Sequence, residues 1–184
     1  KSSLLEIRAI ASRDEARGRA AADALGIPRA YGSYEALLAD PEIEAIYNPL
    51  PNHLHVPIAR AFLRQGFHVI CDKPLASNLA DAIALRDLAR QSGKLFCLTH
   101  NYTGYPLVRH ARAMVAAGTL GELRLVQVEY PQEWLTEPLE QRGQKQAEWR
   151  TDPARSGAGG CLGDIGTHAY QLANYVCGLT LDQL

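Results

Sequence analysis

The 184-residue chain has no apolar run approaching the ~18 residues that span a bilayer, and its opening Lys1-Ser2-Ser3-Leu4-Leu5-Glu6 holds no secretory apolar core. It has no excess charge of either sign: 19 Lys and Arg stand against 20 Asp and Glu, a net charge of −1. The basic surface that a nucleic acid or an anionic membrane demands is therefore missing. The four cysteines, Cys71, Cys97, Cys161 and Cys177, show no CxxC spacing. That argues against a disulfide framework or a zinc site and for buried free thiols. A GxGxxG loop is also absent. Together these absences describe a cytoplasmic protein with no nucleic-acid and no membrane partner.

What is present is an ordinary globular balance, 47% apolar and 21% charged, in a length that fits one full domain and part of another. Residues 4–11 alternate loosely and read as a strand, and Ala16, Ala20, Ala21, Ala24 and Leu25 recur at helical spacing before Gly26. A strand at 29–31, a helix at 33–39, a strand at 45–48, a helix at 53–65, a helix at 79–91 and a strand at 95–99 follow. Strands alternating with helices predict an α/β, doubly wound, Rossmann-type parallel sheet over residues 1–101. After Asn101 the pattern changes. Residues 105–117 read as a helix, and 123–130 as a longer alternating strand of a mostly antiparallel, open sheet. Residues 131–160 read as a long polar loop and 164–177 as a helix. An incomplete α+β domain is expected over 102–184, with subunits pairing through its sheet into a homo-oligomer.

The most informative stretch is 68–75, His-Val-Ile-Cys-Asp-Lys-Pro-Leu, a short apolar strand running into a turn. Parallel sheets place ligands at the carboxyl ends of their strands, so Lys73 is expected over a ligand crevice. Pro74 disfavours helical backbone at Lys73 and holds it extended. A plain reading, a strand ending at proline with a surface lysine, fits the same residues.

Three segments, Pro51-Asn52-His53-Leu54-His55, Asp72-Lys73-Pro74 and Gly163-Asp164-Ile165-Gly166-Thr167-His168, resemble the TPNxxH, EKP and DxGxH motifs of the Gfo/Idh/MocA oxidoreductase family, in the family's order. The departures are Leu50 for Thr, Asp72 for Glu, and Gln171 where many members carry Asp. The resemblance implies an NAD(P)-dependent dehydrogenase of sugars, anhydrosugars or cyclitols. It also implies that the chain begins at the family's second strand and stops short of its last. An internal fragment of this kind is expected to bind dinucleotide poorly.

Hydride transfer from a secondary alcohol needs a group to take the hydroxyl proton and a group to stabilise the oxygen as charge develops. His168 suits the first task and Lys73 the second. Asp164, one helical turn before His168, is expected on the same face, orienting the ring or meeting a substrate hydroxyl. A helix N-cap aspartate and a partly buried histidine fit that pair as well, and no further ligands complete a metal set. The resemblance places Pro51, Asn52, His55, Asp72, Lys73 and Tyr102 by the cofactor. Ser12 stands where NAD-binding folds carry an acid and Arg13 follows it, which favours NADP over NAD. Trp149 and Arg150, with Tyr102, are candidates for holding the sugar, an indole packing on an apolar sugar face. The alternative function is a non-catalytic NAD(P)-sensing or scaffold protein of the same fold.

Overall fold

The computed structural model describes residues 4–183; the start of the stretch read for a leader and the last residue of the chain lie outside the described residues. The N-terminal part alternates β1 (Ala9–Ala11), α1 (Glu15–Leu25), β2 (Arg29–Tyr31), α2 (Tyr34–Leu38), β3 (Ala45–Asn48), α3 (His55–Arg64), β4 (His68–Asp72), α4 (Leu79–Ser92) and β5 (Phe96–Thr99). All ladders among the described residues are parallel: β1 pairs with β2, and β4 lies between β3 and β5. This is the Rossmann-like parallel sheet with covering helices that the rhythm predicts.

Local chemistry sets the boundaries. Asp14 caps α1 by accepting from the Arg17 backbone N–H, and Gly26 ends it at φ 68°, a left-handed conformation that glycine adopts without steric cost. Asn78 and Ser33 cap α4 and α2 in the same way. The first strand is shorter than residues 4–11, because β2 offers only three partners; Leu5 and Ile7, before the ladder, are exposed.

The core lies between the three-stranded sheet and α3 and α4. Val56, Ala59, Phe62 and Leu63 recur along one face of α3 and are buried, as are Val69 and Cys71 on alternate positions of β4 and Leu85 on α4. Phe62 meets Phe67 edge-on at 5.3 Å. Each large apolar side chain buried in this way contributes roughly 1.5–3 kcal/mol.

In the remainder the expected helices form, and the segments between them differ from expectation. α5 (Pro106–Ala116) and α8 (Thr167–Cys177) form and pack together, with the Arg112 guanidinium 4.4 Å from the Tyr175 ring centroid. Residues 123–130 belong to no strand ladder among the described residues, and Leu125 is 82% exposed. Alternation alone does not make a strand; a hydrogen-bonded neighbour does. No antiparallel ladder forms among the described residues. Residues 131–160 are not one open loop: they hold a 3₁₀ turn (Leu139–Arg142), α6 (Lys145–Arg150) and α7 (Pro153–Ser156). The caps are local, the Gln144 side chain accepting from the N–H groups of Gln146 and Ala147 and the Asp152 side chain from that of Ala154. Of the thiols, Cys71 is buried, whereas Cys97 and Cys161 are exposed, against the expectation of four buried thiols. No helix of the described residues is long and apolar enough to cross a membrane.

Candidate active site

Parallel strands bring their carboxyl ends to one edge of a sheet: the turns leaving β3, β4 and β5 carry Pro51-Asn52, Lys73 and His100 to Tyr102, and the turn leaving β1, in the two-stranded sheet, carries Ser12-Arg13. Three side chains fasten the turns after β3 and β4. Asp72 Oδ1 accepts from Tyr47 on β3 at 2.9 Å and from Thr99 on β5 at 2.7 Å, tying the three strands together. His55, 1% exposed, sets Nδ1 2.7 Å from the Pro74 carbonyl oxygen and Nε2 2.6 Å from that of Leu50. Asn48 donates to the His55 carbonyl at 3.3 Å. The Lys73–Pro74 peptide is cis.

Lys73 Nζ leaves this edge to donate to Asp164 Oδ1 and to the Asp164 carbonyl, both at 2.6 Å. Arg150 Nε donates to the other carboxylate oxygen at 3.1 Å. Asp164 lies in a π-helical turn, Leu162–Gly166, that runs into α8. Such widened turns recur at functional sites. His168, 7% exposed, is on the first turn of α8 and packs against Tyr102 at 4.6 Å, His100 at 5.9 Å and Tyr130 at 6.3 Å between ring centroids. The Tyr102 and Tyr130 hydroxyls share a short hydrogen bond.

The electrostatics follow from burial and the lysine. Burial, then the Lys73 charge, lowers the His168 pKa to about 4, so its ring is neutral at pH 7. The same two causes lower His100. For Asp164 burial acts to raise the pKa, but the hydrogen bond and charge of Lys73, with those of Arg150, outweigh it and hold the carboxyl below its ordinary value. The hydrogen bond that Tyr102 shares with Tyr130, followed by burial, pushes the Tyr102 hydroxyl up to about 12.

Lys73, Tyr102, Tyr130, Asp164 and His168 line one cavity of about 210 Å³, which adjoins a larger one of about 560 Å³ bounded by Asn52, Trp134, Leu162 and Ala169. Arg150, Trp134 and Asp164 line both. The structure thus brings Lys73, Tyr102, Arg150, Asp164 and His168 together, with Asn52 on the adjoining wall. Arg13 is exposed and Ser12 partly buried, both just after β1, and neither lines the two cavities. Asp72 and His55 make their hydrogen bonds within the protein and brace the turns that Asn52 and Lys73 reach from. Trp149 lines neither cavity but stacks under Arg150; the indole on the walls is Trp134. Asp164, in the π turn, and His168, on the first turn of α8, both line the smaller cavity. His100, whose Nδ1 is buried without a partner among the described residues, and Tyr130 and Trp134 were not anticipated. His100 directly follows β5 and so had the same positional signal as Lys73.

A parallel sheet with polar groups gathered on its carboxyl edge is the architecture of dinucleotide-binding α/β proteins. A family model described as an oxidoreductase family with an NAD-binding Rossmann fold matches residues 1–100, and one for the Gfo/Idh/MocA C-terminal domain matches residues 108–184. The chain belongs to the Gfo/Idh/MocA oxidoreductase family. It is 48% identical over 112 residues to a D-xylose 1-dehydrogenase (NADP(+)) of Haloferax volcanii, covering 61% of this chain and 34% of that protein. A crystal structure of an inositol dehydrogenase homolog complexed with NAD+ from Azotobacter vinelandii superposes with TM-score 0.84 at 36% identity, covering 91% of this chain and 44% of the other. Levoglucosan dehydrogenase in complex with NADH and levoglucosan superposes with TM-score 0.84 at 29% identity, covering 93% and 44%. The chain spans a third to a half of the length of the curated relatives it matches.

Proposed function

We propose that the protein is a nicotinamide-dependent dehydrogenase acting on a secondary alcohol of a sugar, anhydrosugar or cyclitol, with Lys73, Asp164 and His168 as its catalytic residues. The observation that carries this reading is the convergence of an ammonium, a carboxylate and a neutral imidazole on one cavity at the carboxyl edge of a parallel sheet. The edge fits a dinucleotide: Ser12 and Arg13 suit its adenosine end, and Pro51, Asn52, Lys73 and Tyr102 its nicotinamide end. Serine rather than an acid directly after β1, with an arginine next to it, supports NADP. The bound nicotinamide supplies the hydride acceptor.

Lys73 directs its charge at the alcohol oxygen and favours alkoxide character there. His168, its ring neutral at pH 7, takes the hydroxyl proton as the carbonyl forms. Asp164 fixes the lysine. The relatives' names, a xylose and a levoglucosan dehydrogenase, support a cyclic polyhydroxylated substrate.

The test is kcat/KM for NADP and NAD against pentoses, hexoses, anhydrosugars and cyclitols, with wild type and Lys73→Ala. Loss of an oxyanion-stabilising group lowers kcat by roughly 10²–10³-fold. Unchanged turnover in Lys73→Ala overturns the assignment.

A further inference from the structure

Arg150 stands where the two cavities meet, and its guanidinium is held on several sides. Nε donates to Asp164 Oδ2 at 3.1 Å and Nη1 donates to Gln146 Oε1 at 3.0 Å. Its Cζ lies 4.2 Å from the Trp149 ring centroid and 5.6 Å from that of Trp134. Indole faces attract cations electrostatically, and a planar, weakly hydrated guanidinium stacks on them more readily than an ammonium. A side chain held in this way is poorly suited to swing towards a substrate.

We infer that Arg150 is a positioning residue that clamps the Asp164 carboxylate between two cations, with Trp134 and Trp149 bracketing it, so that Lys73 is anchored without being neutralised. One carboxylate facing two cations leaves an excess positive charge beside the alcohol oxygen. A lone Lys73–Asp164 pair would leave none, and its carboxylate could rotate about the single contact. The charged and titratable groups around Asp164 are Lys73 from the turn after β4, Arg150 from α6, His168 from α8 and Tyr102 from the turn after β5. Of these, only Lys73 and Arg150 lower the carboxyl. Removing Arg150 therefore raises it.

The kinetic half of this inference rests on the dehydrogenase reading, and one measurement does not. Carboxyl ¹³C NMR of aspartate-labelled protein follows Asp164 with or without turnover. Its titration is expected at higher pH in Arg150→Gln than in wild type, and an unmoved titration overturns the clamp. In steady-state kinetics, losing a charge-assisted contact lowers kcat on the order of tenfold to a hundredfold. The acid limb of the pH profile is expected to shift upward, and KM to change by less than about threefold. Added guanidinium is expected to restore part of the kcat of Arg150→Ala, and Arg150→Lys to recover little. A rise in KM with kcat and the acid limb unmoved makes Arg150 a substrate contact and overturns the inference. If Arg150→Gln does not fold, Trp149→Leu loosens the bracket with the arginine kept, and the same upward shift of Asp164 is expected, smaller in size. If wild type oxidises no sugar, the dehydrogenase reading fails while the NMR titration still decides the clamp.

Discussion

Replacing His55 by alanine separates a structural brace from a cofactor contact. The ring is 1% exposed, and its two nitrogens lie 2.7 and 2.6 Å from the carbonyl oxygens of Pro74 and Leu50. Truncation empties a ring-sized space in a close-packed region, which costs about 2–3 kcal/mol by analogy with other large-to-small core changes. It also leaves at least one buried carbonyl without its donor, a further ~1–3 kcal/mol. The sum, about 3–6 kcal/mol, is a large share of the roughly 5–15 kcal/mol that holds a typical domain folded. For a chain of this length it corresponds to a fall in Tm of about 10–20 °C. Urea and thermal unfolding followed by far-UV circular dichroism read it directly. The turns after β3 and β4 carry Asn52 and Lys73, so dinucleotide affinity falls as well, but in His55→Ala stability must fall with it. A variant less than about 1 kcal/mol below wild type, with cofactor binding selectively weakened, would refute the brace and return His55 to the cofactor.

Two further outcomes follow from the geometry. Gly157 has φ 92°, and a Cβ placed there would stand 2.9 Å from the Ser77 carbonyl oxygen; Gly157→Ala is expected to destabilise by about 2–4 kcal/mol, and a shift in urea midpoint equivalent to less than ~0.5 kcal/mol argues against that close approach. His168 titrates near 4 when folded and near 6.5 when unfolded, so as pH falls the unfolded chain takes the proton first. Its contribution is complete above about pH 6.5 and is lost progressively towards pH 4, and His168→Gln should flatten that part of the stability profile; a wild-type midpoint that rises between pH 6.5 and 4 relative to the variant contradicts the burial argument.

The N-terminal fold was legible because its signals are local. Helical spacing, caps such as Asp14 and Asn78, and apolar runs such as Val69-Ile70-Cys71 each reveal themselves within a few residues. Residues 123–130 show the limit: alternation says that a segment can be a strand but not that a neighbour will pair with it. α6 and α7, of six and four residues, are too short for periodicity to report, and only their caps betray them. The choice between the two indoles was equally hidden. Trp134 and Trp149 both flank polar residues, and only the placing of α6 decides which faces the cavity and which supports Arg150.

The site itself turns on the approach to α8. Asp164 and His168 lie about one turn apart and line the same cavity, but they take different partners. In the π turn at Leu162–Gly166, Asp164 presents both its carboxylate and its carbonyl to Lys73, while Thr167 Oγ1 also donates to that carbonyl at 3.1 Å. The imidazole, left to the aromatic rings of Tyr102, Tyr130 and His100, finds no carboxylate hydrogen bond to charge it, and burial beside an ammonium makes it neutral. The same short stretch therefore anchors the cation and holds beside it a neutral imidazole able to accept a proton.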